Sequence, residues 1–274
     1  MIASLGFLSA CAPTPAPKEP LTAPAGNWVS LFNGKDLSDW TAKVAGEPLG
    51  ENYRNTFRVE DGLLKISYQQ YDKFDGKFGG LYFKKKFAHY WLRAEYRFVG
   101  SLTSGAPSWA YKNSGVYLHA QPPESIGKDQ IFPVSVEFDL VGGHRFGNHP
   151  TGDVCQNGTH VLIGGAPLSG YCSKLSDVNI PGEEWTSILA EVDGGKRVRQ
   201  AVNGGIIVAY TDITLDDANV DAQRLIAGGA DKNVTSGYIG VQSNGHPVEF
   251  RRIDILPLED AAAGGAAPDA PATH

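Results

Sequence analysis

Apolar and polar positions alternate with a period of two along much of this chain. In the segment 90–99, Leu92, Ala94, Tyr96 and Phe98 form one set and Arg93, Glu95 and Arg97 the other. In 134–141, Val134, Val136, Phe138 and Leu140 oppose Ser135, Glu137 and Asp139. Val116 and Leu118 oppose Tyr117 and His119, and Ile239 and Val241 oppose Tyr238, Gly240 and Gln242. A period of two places alternate side chains on opposite faces of a strand, one face in a core. Shorter apolar runs predict further strands over 28–32, 57–60, 63–68, 80–83, 161–163, 186–192, 197–202, 206–210 and 248–256. Asp61-Gly62 and Asn203-Gly204-Gly205 fall between such runs, where a tight hairpin needs positive φ. Helical periodicity is weak everywhere, with 215–225 the best candidate. So many strands in one domain predict an all-β fold, a two-sheet antiparallel jelly-roll sandwich. The ends of the ordered part, near Trp28 and Leu256, are expected side by side.

Composition sharpens the boundaries. Of 274 residues, 42% are hydrophobic, enough for one large β domain. The net charge of −6 shows no basic stripe, which argues against a nucleic-acid partner. No apolar stretch reaches the ~18 residues of a membrane helix. Residues 1–10 are apolar and end in Leu8-Ser9-Ala10-Cys11. That pattern resembles a bacterial lipoprotein signal with Cys11 as the acylated residue. No basic residue precedes Lys18, which departs from the usual signal opening. Residues 11–26, rich in Pro, Ala and Thr, read as a tether. The domain proper then spans 27–258, and 259–274 is a tail without apolar periodicity. The expected location is outside the cytoplasm, periplasmic or at the outer membrane, with membrane contact through the lipid alone. With Cys11 acylated, Cys155 and Cys172 are left as a pair. A disulfide between them suits an oxidising compartment and contributes ~3 kcal/mol by loop entropy.

The polar strand faces carry Glu, Asp, His, Tyr, Arg and Gln. Carboxylates and Arg bind sugar hydroxyls, and aromatic rings stack on sugar faces. One sheet is therefore expected to present a functional groove as well as a core face. His144, His149 and Asp153 lie close together in a Gly-rich segment and are candidate ligands for a divalent metal, although their spacing fits no strong template. No Gly-x-Ser-x-Gly elbow, phosphate-binding loop or dinucleotide fingerprint is present.

Five blocks in order resemble one bacterial family, the 3-keto-disaccharide hydrolase domain. They are Trp28-Val-Ser-Leu-Phe-Asn-Gly-Lys-Asp-Leu-Ser-Asp-Trp40, Val59 to Leu64, Asn113 to His119, Pro133 to Phe138, and Gly237 to Ile255. The resemblance runs from about Trp28 to Leu258. It implies a concanavalin-A-like jelly roll acting on 3-keto-glycosides, oxidised di- or oligosaccharides, by elimination and hydration or net hydrolysis. The glutamate strand here reads Glu137-Phe138-Asp139, where many relatives show Glu-x-Gln.

A ketone at sugar carbon 3 acidifies the hydrogen on carbon 2. Its removal and the loss of the carbon 1 substituent need a base, an enediolate stabiliser and an acid. Glu137 is the candidate base and His119 the candidate acid or metal ligand. Arg93, Arg97 or a divalent cation are candidates for the enediolate. Tyr117, Asp139, Asn113, Gln242 and Trp109 are candidate substrate contacts. Two other functions stay open: a non-catalytic carbohydrate-binding jelly roll, and a retaining glycosidase. The second expects Glu-x-Asp-x-x-Glu on one strand, and Gly142 stands where its second Glu belongs.

Overall fold

The computed structural model describes residues 20–143 and 150–258. The strands are β1 (Val29–Ser30), β2 (Trp40–Val44), β3 (Phe57–Glu60), β4 (Leu63–Ile66), β5 (Gly79–Phe87), β6 (His89–Phe98), β7 (Asn113–Ala120), β8 (Ser135–Val141), β9 (Val154–Asn157), β10 (Thr159–Ile163), β11 (Ala166–Pro167), β12 (Thr186–Asp193), β13 (Arg197–Val202), β14 (Gly205–Leu215), β15 (Gly237–Ser243) and β16 (Val248–Pro257). Among the described residues one α-helix, α1 (Val220–Ala227), lies between β14 and β15.

The strands form two antiparallel sheets. The ten-stranded sheet runs β11-β10-β14-β13-β12-β6-β16-β4-β3, with β1 also on β16. The six-stranded sheet runs β2-β5-β15-β7-β8-β9. The apolar set of β6 meets the apolar sets of β7, β8 and β15 between the sheets. Leu92, Tyr96, Phe98, Leu118, Val136, Phe138, Leu140, Ile239 and Val241 are all buried in this one core. Burial of this apolar surface is the main force holding the two layers together.

Local chemistry fixes the turns. Asp61 and Gly62 have φ of 56° and 72°, and Asn203 and Gly204 have 49° and 86°. Positive φ at both central residues matches the right-handed twist of the flanking strands. Val29 pairs with Ile255, so the two ends of the domain do lie together.

Three departures from expectation stand out. β2 and β9 were not visible as strands, because each is short and mixes apolar with polar residues. The helix starts five residues later than predicted, since Leu215 completes β14; Asn219 caps it by accepting from Asp221 N (3.0 Å) and Ala222 N (3.1 Å). The third is the tether. Leu21 donates its N–H to Gly204 O (2.9 Å) and is buried against Trp91, Leu189 and Leu256. A single leucine in the Pro/Ala stretch finds an apolar patch on the outer sheet face, so 20–26 belongs to the domain. Cys11 and the tail from residue 259 lie outside the described residues.

Candidate active site

The outer face of the six-stranded sheet is built on glycine. A side chain at Gly115 of β7 would overlap the Glu137 carboxylate from β8. One at Gly240 of β15 would sit 2.8 Å from the Tyr82 ring. These positions let two large polar side chains lie flat across neighbouring strands. Tyr117 pairs in register with Glu137, and its ring stacks on Tyr82 at 6.0 Å between centroids.

A hydrogen-bonded chain of amides runs across this floor. Asn157 Nδ2 (2.9 Å) and Gln242 Nε2 (3.1 Å) both donate to Glu137 Oε2. Asn244 Nδ2 donates to Gln242 Oε1 (2.5 Å) and to Asn113 Oδ1 (2.6 Å). Asn113 Nδ2 reaches Asp139 Oδ1 at 3.3 Å. At the other end the Tyr171 hydroxyl donates to Asn157 Oδ1. Glu137 and Asp139 are both buried. They are two residues apart on one strand face, so their Cα atoms are separated by about 7 Å.

A disulfide holds the edge of this site. Cys155 of β9 is the register partner of Glu137 and is bonded to Cys172. Ser173 N donates to Val154 O (2.9 Å) and Gln156 N to Tyr171 O (2.9 Å), so this segment extends the sheet beyond β9. Tyr171 is thereby fixed with its ring half exposed and its hydroxyl turned towards Asn157.

Electrostatics separate the groups. Burial, then the neighbouring Asp153 charge, pushes Asp139 up to about 8, against the opposing hydrogen bond from Asn113. Asp153 Oδ1 accepts from Ser173 Oγ, Leu175 N (2.9 Å) and Ser176 N (3.2 Å). Raised to about 8, Asp139 keeps its proton at neutral pH. Burial and the Glu137 and Asp139 carboxyls raise Tyr171 above the ordinary phenol range, keeping its hydroxyl protonated. Burial raises Tyr117 likewise. The site thus sets the Glu137 carboxyl among the protonated groups of Asp139, Tyr117 and Tyr171.

The structure brings Glu137, Asp139, Tyr117, Asn113 and Gln242 together as the sequence predicts. His119 is a correction. Tyr117 pairs with Gly240 and Ala120 with Tyr238, so two residues of β7 oppose Ile239 alone. At this bulge His119 takes φ of 52° and turns into the space between the sheets. Its ring meets Tyr90 and its Nε2 lies 2.8 Å from Gly194 O, while Ala120 takes the place beside Tyr117. Burial holds His119 down to about 4, so the ring is neutral. It is a core histidine on the far side of the sheet from Glu137. His119→Ala is expected to lower stability by about 1–3 kcal/mol and to leave turnover per folded molecule unchanged, which denaturant melts beside initial rates would read.

Arg93 and Arg97 are the second correction. β6 belongs to the ten-stranded sheet, so its polar set faces the opposite surface of the sandwich. Arg93 bonds Asp254 (2.9 Å) and covers the Trp28 ring at 4.2 Å. Arg97 bonds Glu249 (2.8 Å) and covers Trp185 at 4.6 Å. Trp109 is exposed and stacked on Phe78 at 5.6 Å, outside the Glu137 network.

His144 and His149 lie outside the described residues. Asp153 is engaged by its three donors, and among the described residues no cluster of three or more His, Cys, Asp or Glu is placed to hold a metal. Sequence reading missed Tyr171, Asn157, Asn244 and Tyr82. The signal available for Tyr171 was its place next to Cys172.

A concanavalin-like jelly roll with a polar, carboxylate-bearing outer sheet face defines a protein of the carbohydrate-active class. A solved structure from Parabacteroides distasonis, provisionally named a glycosyl hydrolase, shares 20% identity at a TM-score of 0.50, covering 85% of this chain and 94% of that one. This chain belongs to the 3-keto-alpha-glucoside-1,2-lyase-like domain family, whose pattern matches residues 27–256. A galectin-like protein from Bacillus subtilis (13% identity, TM-score 0.49, 84% and 94% covered) is also similar. So is a β-glucanase from Bacillus licheniformis (10% identity, TM-score 0.48, 86% and 100% covered). At these identities the likeness is one of fold alone. No curated protein matches the chain.

Proposed function

We propose that this protein cleaves 3-keto-glycosides by elimination followed by hydration. The observation that supports this best is the Glu137 carboxyl, whose Oε2 accepts from two amides, beside a protonated Asp139 on the same strand face. Glu137 removes the proton from carbon 2 of the keto sugar. Asp139 and Tyr117 donate hydrogen bonds to the enediolate oxygen on carbon 3. As the enediolate collapses, the bond from carbon 1 to the leaving oxygen breaks, a carbon 1–carbon 2 double bond forms, and Tyr171 gives its proton to the leaving oxygen. Water then adds at carbon 1. Its proton returns to the Tyr171 phenolate, and Glu137 returns a proton to carbon 2. Release before the second half gives a lyase product, and completion gives net hydrolysis.

The Asp139 role explains the departure from Glu-x-Gln. A protonated carboxyl, like a glutamine amide, is a neutral donor, whereas a carboxylate would repel the enediolate. The rate is therefore expected to fall as pH rises through about 8 and Asp139 loses its proton. Asp139→Gln keeps a donor and abolishes that basic limb; Asp139→Ala costs about 10²–10³ in kcat. Stability follows the same proton. The folded chain binds it more tightly than the unfolded chain, with its ordinary value of 3.8. This contribution is complete below 3.8 and is lost as pH rises to about 8. Rate and melting profiles between pH 5 and about 9 read both effects.

The test is direct. Purified protein is mixed with 3-keto-trehalose or a 3-keto-glucoside and followed for keto-glycal or free keto-glucose, with unoxidised trehalose as control. Turnover of the keto sugar alone supports the proposal. Binding of both sugars without turnover of either would make the protein a carbohydrate-binding jelly roll instead. The Cys155–Cys172 cross-link supports the expectation of an oxidising compartment.

A further inference from the structure

We propose that the cavity on the β9 side of Glu137 is the subsite for the second ring of a neutral 3-keto-disaccharide, the ring that departs. This rests on the keto-glycoside reading and goes beyond it by naming the leaving group and the residues that choose it. The cavity has a volume of about 570 Å³ and lies between the segment before β8 and the segment after β11. That size is ordinary for a small-molecule site.

Three observations carry the assignment. First, Asn157 and Tyr171 form part of its wall. Asn157 is hydrogen-bonded to Glu137, and Tyr171 to Asn157. A ring in the cavity is one side chain away from the base, on the side where the proposed acid stands. Second, the lining has sugar-binding chemistry. Phe132 and Tyr171 offer flat apolar rings, and His160 and Asp216 also line it, with His160 Nε2 3.2 Å from Asp216 Oδ1. Rings pack on the C–H faces of a pyranose, while imidazole and carboxylate bond its hydroxyls. Third, among the described residues the lining contains Asp216 and Asp221, the latter ion-paired with Arg224, and no Lys or Arg. A neutral sugar suits it, and a sugar phosphate does not.

His160 is the residue to change, because its side chain is half exposed and its ion-pair partner is Asp216. His160→Ala removes a hydroxyl partner, and His160→Trp fills the space. Each is expected to raise KM for 3-keto-trehalose about tenfold, with kcat within about twofold. Neither changes the kinetics of methyl 3-keto-glucoside, whose leaving group never enters the cavity. Equal effects on both substrates, or no effect on the disaccharide in either variant, would overturn the subsite. Failure of the catalytic reading shows differently, as no turnover of either substrate by the unaltered protein. In that event calorimetric titration with unoxidised trehalose still tests the cavity. Weaker binding by His160→Trp supports it, and equal or absent binding overturns it.

Discussion

Glu137→Gln is expected to abolish cleavage of 3-keto-glucosides, lowering kcat by about 10³ or more while the fold is kept. Glutamine has nearly the shape of glutamate. It can turn its carbonyl oxygen towards Asn157 Nδ2 and Gln242 Nε2, so the amide chain across the sheet survives. What it lacks is a basic oxygen for the carbon 2 proton. The variant also no longer buries a carboxyl group on the sheet face, and so its melting temperature should not fall. Initial rates with a thermal melt on the same sample separate lost chemistry from lost structure. Turnover within tenfold of the unaltered protein would remove Glu137 from its role.

Removing the disulfide is the second large effect. Cys155→Ser with Cys172→Ser is expected to cost about 3 kcal/mol, a fall of about 6–12 °C in Tm for a domain of this size. The consequence for activity is separate. Cys172 holds Tyr171 in place, and Tyr171 is the proposed acid for the leaving oxygen. At a temperature where the variant is fully folded, its kcat should fall for poor leaving groups such as a second sugar. An activated aryl leaving group needs no acid and should depart at the original rate. Equal losses on both would mean that the cross-link acts on stability alone.

Much of this fold was legible because strands advertise themselves in alternation. The sets in β6, β8 and β15 bury as the period of two dictates, and the Asp61-Gly62 and Asn203-Gly204 hairpins turn where positive φ was required. Alternation says which residues share a face within one strand, but not which sheet the strand joins. That is why Arg93 and Arg97 were grouped with Glu137, although β6 lies in the other layer. Nor does it anticipate a bulge. One extra residue opposite Ile239 turns His119 inward, and nothing in Tyr117-Leu118-His119 announces it. Tyr171 and Asn157 were missed for a third reason. Asn157 ends β9, which is too short to show alternation, and Tyr171 lies in a segment rich in Gly and Ser whose place beside β9 is set by a cross-link and by Asp153, not by hydrophobic pattern. The base was readable from its strand; the groups that orient it came from sequence-distant partners.

The central claim is that Glu137 takes the proton from carbon 2. Incubation of a 3-keto-glucoside with the protein in D2O, followed by proton NMR, reads that step without requiring cleavage. The unaltered protein and Tyr171→Phe should both wash deuterium into carbon 2 above the buffer rate, while Glu137→Gln should show none beyond buffer. Undiminished exchange in Glu137→Gln would contradict the account.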